Sequence, residues 1–202
     1  QVPRSLKRAA RRGLDVRFCE GFGPHTKYYP AVESSLDGGQ SLITADDDIL
    51  YPRFWLSSLM SEHRRSPDDV VCFRAHVMGL RDNLIAPYAE WARASSDKSS
   101  VRIFATGVSG VLYPPKMVAA LREAGRGFMS VALPADDIWL HHVALRAGIA
   151  VRQLSPIPLH FYSRPRSGRL SLAAANVAGG RNDAILLSLY DASDIELLRG
   201  RD

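Results

Sequence analysis

The stretch Ser41–Pro52, SLITADDDILYP, constrains this chain more than any other. An apolar strand-like run, Ser41-Leu42-Ile43-Thr44, leads straight into Asp46-Asp47-Asp48. Pro52, with Trp55, Leu56, Leu59, Met60 and His63 at helical spacing, predicts a helix behind them. Three adjacent carboxylates repel one another, so a chain that ends a buried strand on them is expected to supply a counter-cation. A hard divalent metal suits carboxylate oxygens. Helix capping is the alternative, because an aspartate oxygen accepts the orphan N–H bonds of a helix start. A cap uses one carboxylate, however, and strand ends are where open α/β sheets bind ligands.

The 202 residues suit one domain, large enough to bury roughly 70% of the surface of its unfolded form. With 46% hydrophobic and 23% charged residues the composition is that of an ordinary globular protein. No apolar run reaches the roughly 18 residues of a membrane span. Arg4, Lys7, Arg8, Arg11 and Arg12 lack the apolar segment that would make a secretory signal of them. Cys19 and Cys72 stand in strand-like apolar runs and are expected to be buried thiols in a reducing, cytoplasmic setting. The net charge of +5 suits an anionic partner. No basic patch interleaved with aromatics is present, so nucleic acid is not the expected one.

Along the chain, residues 3–12 read as a short basic helix ending at Gly13; a solvated face is its default use and docking on an acidic membrane surface the sharper one. Val16–Cys19 predicts a strand. Past the turn Gly21-Phe22-Gly23-Pro24 stand His25, Lys27, Tyr28 and Tyr29, and there Lys27 is placed to meet phosphate. Strands are predicted over Asp69–Phe73, Val101–Ala105 and Ile149–Arg152, with an exposed loop or flap over 81–100. Gly107 and Gly110 at a strand end allow a tight backbone path beside a substrate, or a simple bulge. Leu50-Tyr51-Pro52 and Leu112-Tyr113-Pro114 repeat one strand-to-helix device. A second acidic pair, Asp136-Asp137, opens a helix that continues through Trp139, Leu140, Val143, Ala144 and Ala147 to Gly148. Two carboxylate sites on separate strand–helix junctions suggest a division of labour, one holding metal and one moving a proton. The tail carries Leu159-His160-Phe161-Tyr162, a basic stretch over Arg164–Arg169, Gly179-Gly180-Arg181-Asn182-Asp183 and a last apolar helix over Ala184–Tyr190. A histidine beside aromatics is more often structural than a ligand, and His160 is kept as a metal candidate beside that use.

Taken in order, Gly23–Pro30, Ile43–Pro52, Phe73–His76, Thr106–Pro115 and Ala135–Leu140 resemble the motifs of a family of bacterial glycosyltransferases with the GT-A fold, over about residues 20–150, and the Gly179–Asp183 stretch is similar too. The resemblance implies a metal-dependent transferase that moves a sugar from a nucleotide-sugar donor to a hydroxyl of a cell-surface or capsular glycan, most simply with inversion. It implies an α/β fold with a Rossmann-like, mostly parallel sheet and helices on both faces, in a single domain over 1–202. That domain is shortened at its N-terminus, lacking a full first βα unit before Val16, with 156–202 as an extension packing on it. By the same resemblance Mn²⁺ or Mg²⁺ is held by Asp46 and Asp48, with His160 a further metal candidate from its local setting alone. Asp46, Asp47, Lys27 and His25 lie on the donor side, and Gly107, Gly110 and Trp139 on the acceptor side. Asp137 is the base, with Asp136 its neighbour and helix cap. A cytoplasmic location, with peripheral association at the inner face of the membrane, is implied as well. The rivals from other classes are a two-metal phosphoryl hydrolase and an inactive relative that binds glycan or a partner transferase.

Overall fold

The structure is a computed structural model that describes residues 2–34, 39–163 and 180–200. Its centre is a four-stranded sheet of β1 (Leu42–Thr44), β2 (Val70–Cys72), β8 (Val111–Tyr113) and β9 (Val151–Gln153), in the order β1-β8-β2-β9. Alternation along these short strands sends side chains to two faces. Val70, Cys72, Val111 and Tyr113 face one core with Met117, Leu121, Ile138 and Leu145, whereas Val71, Phe73 and Leu112 face a second with Ile49, Leu59 and Phe161. The first core is roofed by α4 (Pro115–Ala124) and α6 (Asp136–Arg146), the second by α3 (Trp55–Arg65). Helices therefore cover both faces of a mixed α/β sheet.

The sheet is not mostly parallel. β8 is antiparallel to both β1 and β2, and only β2 and β9 run parallel. The cause is β8 itself: Val111–Tyr113, set between Gly110 and Pro114, reads in sequence as a turn into a helix, yet it lies between β1 and β2 and runs against both. A second antiparallel sheet joins β6 (Ala92–Arg93), β3 (Ala75–Val77) and β7 (Ile103–Ala105). The 81–100 region is more structured than an exposed loop. β4 (Leu80–Arg81) and β5 (Leu84–Ile85) form a hairpin over Asp82 and Asn83, both at positive φ, the backbone a tight two-residue hairpin turn requires. Trp91 then folds inward, its Nε1 donating to the Ala86 carbonyl at 2.8 Å.

The start of the chain departs from expectation. α1 (Arg4–Ala10) buries nothing, Val16–Cys19 is not a strand, and Cys19 is exposed while Cys72 is buried. Val16–Cys19 pairs with no strand, and Phe18, 86% exposed, contributes nothing to a core. At the other end, α7 (Arg181–Leu189) and α8 (Ala192–Arg199) lay Ile185, Leu186, Ile195 and Leu198 into the first core. Arg164–Arg169 and Gly179 lie outside the described residues. No helix among the described residues is long and apolar enough to cross a membrane.

Candidate functional site

Four segments distant in sequence meet at one end of the central sheet. The first is the 3₁₀ turn Gly23–Lys27, whose geometry needs Gly23 at φ +56°. It is anchored by aromatics: Phe22 and Tyr29 pack edge-on to Phe128, and the His25 ring stacks on Phe128 at 4.1 Å. His25 is wholly buried, with Nε2 donating to the Ala132 carbonyl at 2.9 Å and Nδ1 2.9 Å from the Tyr28 hydroxyl. A carbonyl only accepts, so Nε2 carries the proton and Nδ1 accepts from Tyr28. Burial pushes the His25 pKa down, in keeping with this neutral form. With both nitrogens engaged, His25 has none left for a donor; it is a structural histidine that fixes the turn.

With the turn fixed, Lys27 projects into the site. Its ammonium lies 2.7 Å from Asp46 Oδ1 and 3.2 Å from Asp136 Oδ2. Burial alone would lower the Lys27 pKa, but the charges of Asp136, Asp137 and Asp46 outweigh it and raise it. The second segment, the acidic loop after β1, is stapled from behind. The Asp46 amide donates to the Tyr51 hydroxyl at 2.8 Å, which in turn donates to the Val108 carbonyl. Trp55 packs at a tilt against Tyr51, ring centroids 4.5 Å apart, and donates from Nε1 to the Ser109 carbonyl at 2.9 Å. Tyr51 and Trp55 read in sequence only as helix-start residues; their positioning role follows from a partner turn more than fifty residues away.

That turn, the 3₁₀ segment Gly107–Ser109, is the third element. The Gly107 amide donates to Asp137 Oδ1 at 3.1 Å, and a Cβ on Gly107 would stand 3.0 Å from Lys27 Nζ. Gly110, at φ +91°, has its α-carbon so close to Trp55 that a Cβ would overlap the indole. The two glycines thus permit close backbone approach, Gly107 to the charged groups and Gly110 to Trp55.

The fourth segment is the head of α6. Its N-cap position is Ala135, and Asp136 and Asp137 both lie in the first turn. Asp136 is not a cap; its Oδ2 makes no hydrogen bond and faces Lys27 as an ion pair. Asp137 keeps some exposure to the cleft, yet its carboxyl is enclosed and borders a small cavity lined by Val70, Ala105, Tyr113 and Leu140. That burial, reinforced by the Asp136 charge, pushes the Asp137 pKa up to about 7, against the opposing effects of Lys27 and the Gly107 amide.

Of the remaining expected residues, Trp139 packs in the core against Gly127 and Phe128, so it offers no acceptor surface. Asp47 is exposed and Asp48 partly so, both just past Asp46. His160 is exposed, and no three His, Cys, Asp or Glu side chains among the described residues are gathered as a metal-ligand cluster. Carboxylate oxygens are nevertheless the donor type a hard cation takes. Asp46 and Asp48 present carboxylate oxygens, and ions of the Mg²⁺ type are commonly held by one or two carboxylates with water and substrate phosphates completing the shell. Lys27 takes one oxygen of Asp46 and leaves the other. Compared with known proteins, the chain matches no family model and no curated protein.

Proposed function

We propose that this chain is a metal-assisted glycosyltransferase of the GT-A type, which transfers a sugar from a nucleotide-sugar donor to a hydroxyl of a cell-surface or capsular glycan. The observation that carries the reading is the convergence of Lys27, Asp46, Asp136, Asp137 and the Gly107 amide from four separate segments. One side of this cluster supplies groups for an anionic, metal-bound diphosphate: the Asp46 and Asp48 carboxylates and the Lys27 ammonium. The other supplies a carboxyl whose pKa lies close to neutral, where a general base is most effective.

Asp46 and Asp48 would hold the cation, which when bound neutralises charge developing on the leaving diphosphate. In the transfer itself, the acceptor oxygen bonds to the anomeric carbon as that carbon's bond to the diphosphate oxygen breaks. Asp137 takes the hydroxyl proton and the nucleoside diphosphate departs. Gly107, through its amide on Oδ1, fixes the orientation of the accepting carboxylate. Lys27 lies between the two carboxylate groups and supplies one positive charge there, which supports a single-cation site over the two-metal centre of a phosphoryl hydrolase. A cytoplasmic enzyme working at the inner face of the membrane is the setting this chemistry suits, since nucleotide sugars are its donors.

Calorimetry with a panel of nucleoside diphosphates, with and without Mn²⁺, tests the reading. Metal-dependent binding of one nucleotide supports it. Metal binding with no nucleotide preference returns the hydrolase, and no binding at all returns the inactive relative.

A further inference from the structure

A lysine that only met a donor phosphate would point into open cleft. Lys27 instead has a side chain only 20% exposed, with its ammonium drawn between carboxylates of two separate segments, the loop after β1 and the head of α6. Asp136 Oδ2 is buried with no hydrogen bond, so this ammonium is the charge that balances it. Gly107 leaves the necessary space, since a Cβ there would stand 3.0 Å from Lys27 Nζ and 3.1 Å from Asp137 Oδ1. The Lys27 contact engages the same Asp46 carboxylate that the functional reading gives to the metal.

We propose that Lys27 is a built-in counter-ion that a diphosphate must draw away from Asp46 before that carboxylate takes a divalent cation, so that metal and nucleoside diphosphate are taken up together. The proposal rests on the reading of Asp46 as a cation ligand. A resident ammonium repels an incoming dication and holds one of the carboxylate oxygens it needs. A diphosphate carries more negative charge than the single Asp46 carboxylate, and that charge draws the ammonium toward it. Once Lys27 turns to the phosphate, Asp46 is released, and by linkage each ligand strengthens the other's binding equally. The site then binds the metal–diphosphate pair in preference to free metal.

The test is Mn²⁺ affinity, read by electron paramagnetic resonance, alone and with UDP or GDP present, in the wild type, Lys27→Met and Lys27→Arg. Lys27→Met is expected to bind Mn²⁺ alone about fivefold or more tightly than the wild type, with the diphosphate's enhancement shrinking by a similar factor. Lys27→Arg, which keeps the charge, is expected to stay close to the wild type, a distinction a purely structural lysine would not produce. If Lys27→Met fails to fold, Lys27→Met with Asp136→Asn removes the partner charge as well, and there the expected result is the shrunken enhancement by the diphosphate, since the ammonium that couples the two ligands is gone. Unchanged or weaker Mn²⁺ binding in the charge-free variants, with coupling undiminished, overturns the counter-ion while leaving the transferase reading standing. Wild-type protein that takes no Mn²⁺ with or without diphosphate overturns both.

Discussion

At the scale of single residues, Asp137 carries the sharpest expectation. Its raised pKa means the folded protein holds a proton, between about pH 4 and pH 7, that the unfolded chain has already released. The unfolded state binds fewer protons across that window, so this group makes stability fall as pH rises through it. Transfer activity runs the opposite way, rising with pH through about 7 as the base loses its proton. Asp137→Asn is expected to lower turnover by about 10²–10⁴-fold with donor binding retained. The same variant is expected to gain stability relative to the wild type between pH 5 and pH 8, read by urea unfolding. An unchanged turnover would remove the base from this position. Asp136→Asn is expected to act differently, since its carboxylate balances Lys27 and caps nothing.

At the scale of elements, two joints hold the site in place. The first is the seat of Trp55 on Gly110, which ties α3 and the acidic loop to the Gly107–Ser109 turn. Gly110→Ala combines a strained positive φ with overlap against the indole and is expected to cost about 3 kcal/mol in denaturant unfolding. The second joint fastens α8 to α6. Asp194 is wholly buried; it accepts from Arg146 Nε at 2.9 Å and meets His142 Nε2 at 3.3 Å, while His141 holds Tyr190 at 2.7 Å. Burial would raise the Asp194 pKa, but the Arg146 hydrogen bond and the Asp191 amide more than offset this and lower it. Burial, reinforced by His142 and only partly opposed by the Val101 carbonyl and Asp194, pushes His141 down to about 4, so it is neutral at physiological pH. Asp194→Ala strips partners from Arg146 and His142 and is expected to cost about 2 kcal/mol. Hydrogen exchange should quicken in α7 and α8 before the central sheet, and uniform quickening would show that the two helices are not a separable unit.

At the scale of the whole molecule, a nucleoside diphosphate with Mn²⁺ is expected to bind only the folded chain. At a hundredfold excess over its dissociation constant such a ligand adds about 2.7 kcal/mol. For a chain of this length that raises the melting temperature by roughly 5–10 °C, measured by thermal shift, with little rise from either ligand alone.

The sequence by itself determined the pieces. Apolar runs gave β1, β2, β7 and β9 to within a residue or two, helical spacing gave α3 and α6, and an apolar run gave α7; the first acidic group does follow a strand, but Asp136-Asp137 follow the short helix Phe128–Val131 rather than a strand. These features lie within single elements, where a period of 2.0 or 3.6 records which face is buried. Only the tertiary structure decided that β8 enters the sheet antiparallel, that His25 and Trp139 belong to the core, and that Lys27 closes onto Asp46 and Asp136. Val111–Tyr113 is hidden between Gly110 and Pro114, which signal a turn and a helix start, and a buried histidine looks the same in sequence as a ligand. The pairing of Lys27 with carboxylates nineteen and more than a hundred positions away leaves no local pattern at all. It exists because the folded chain brings separate segments to one end of the sheet, where like charges buried together require an opposite one.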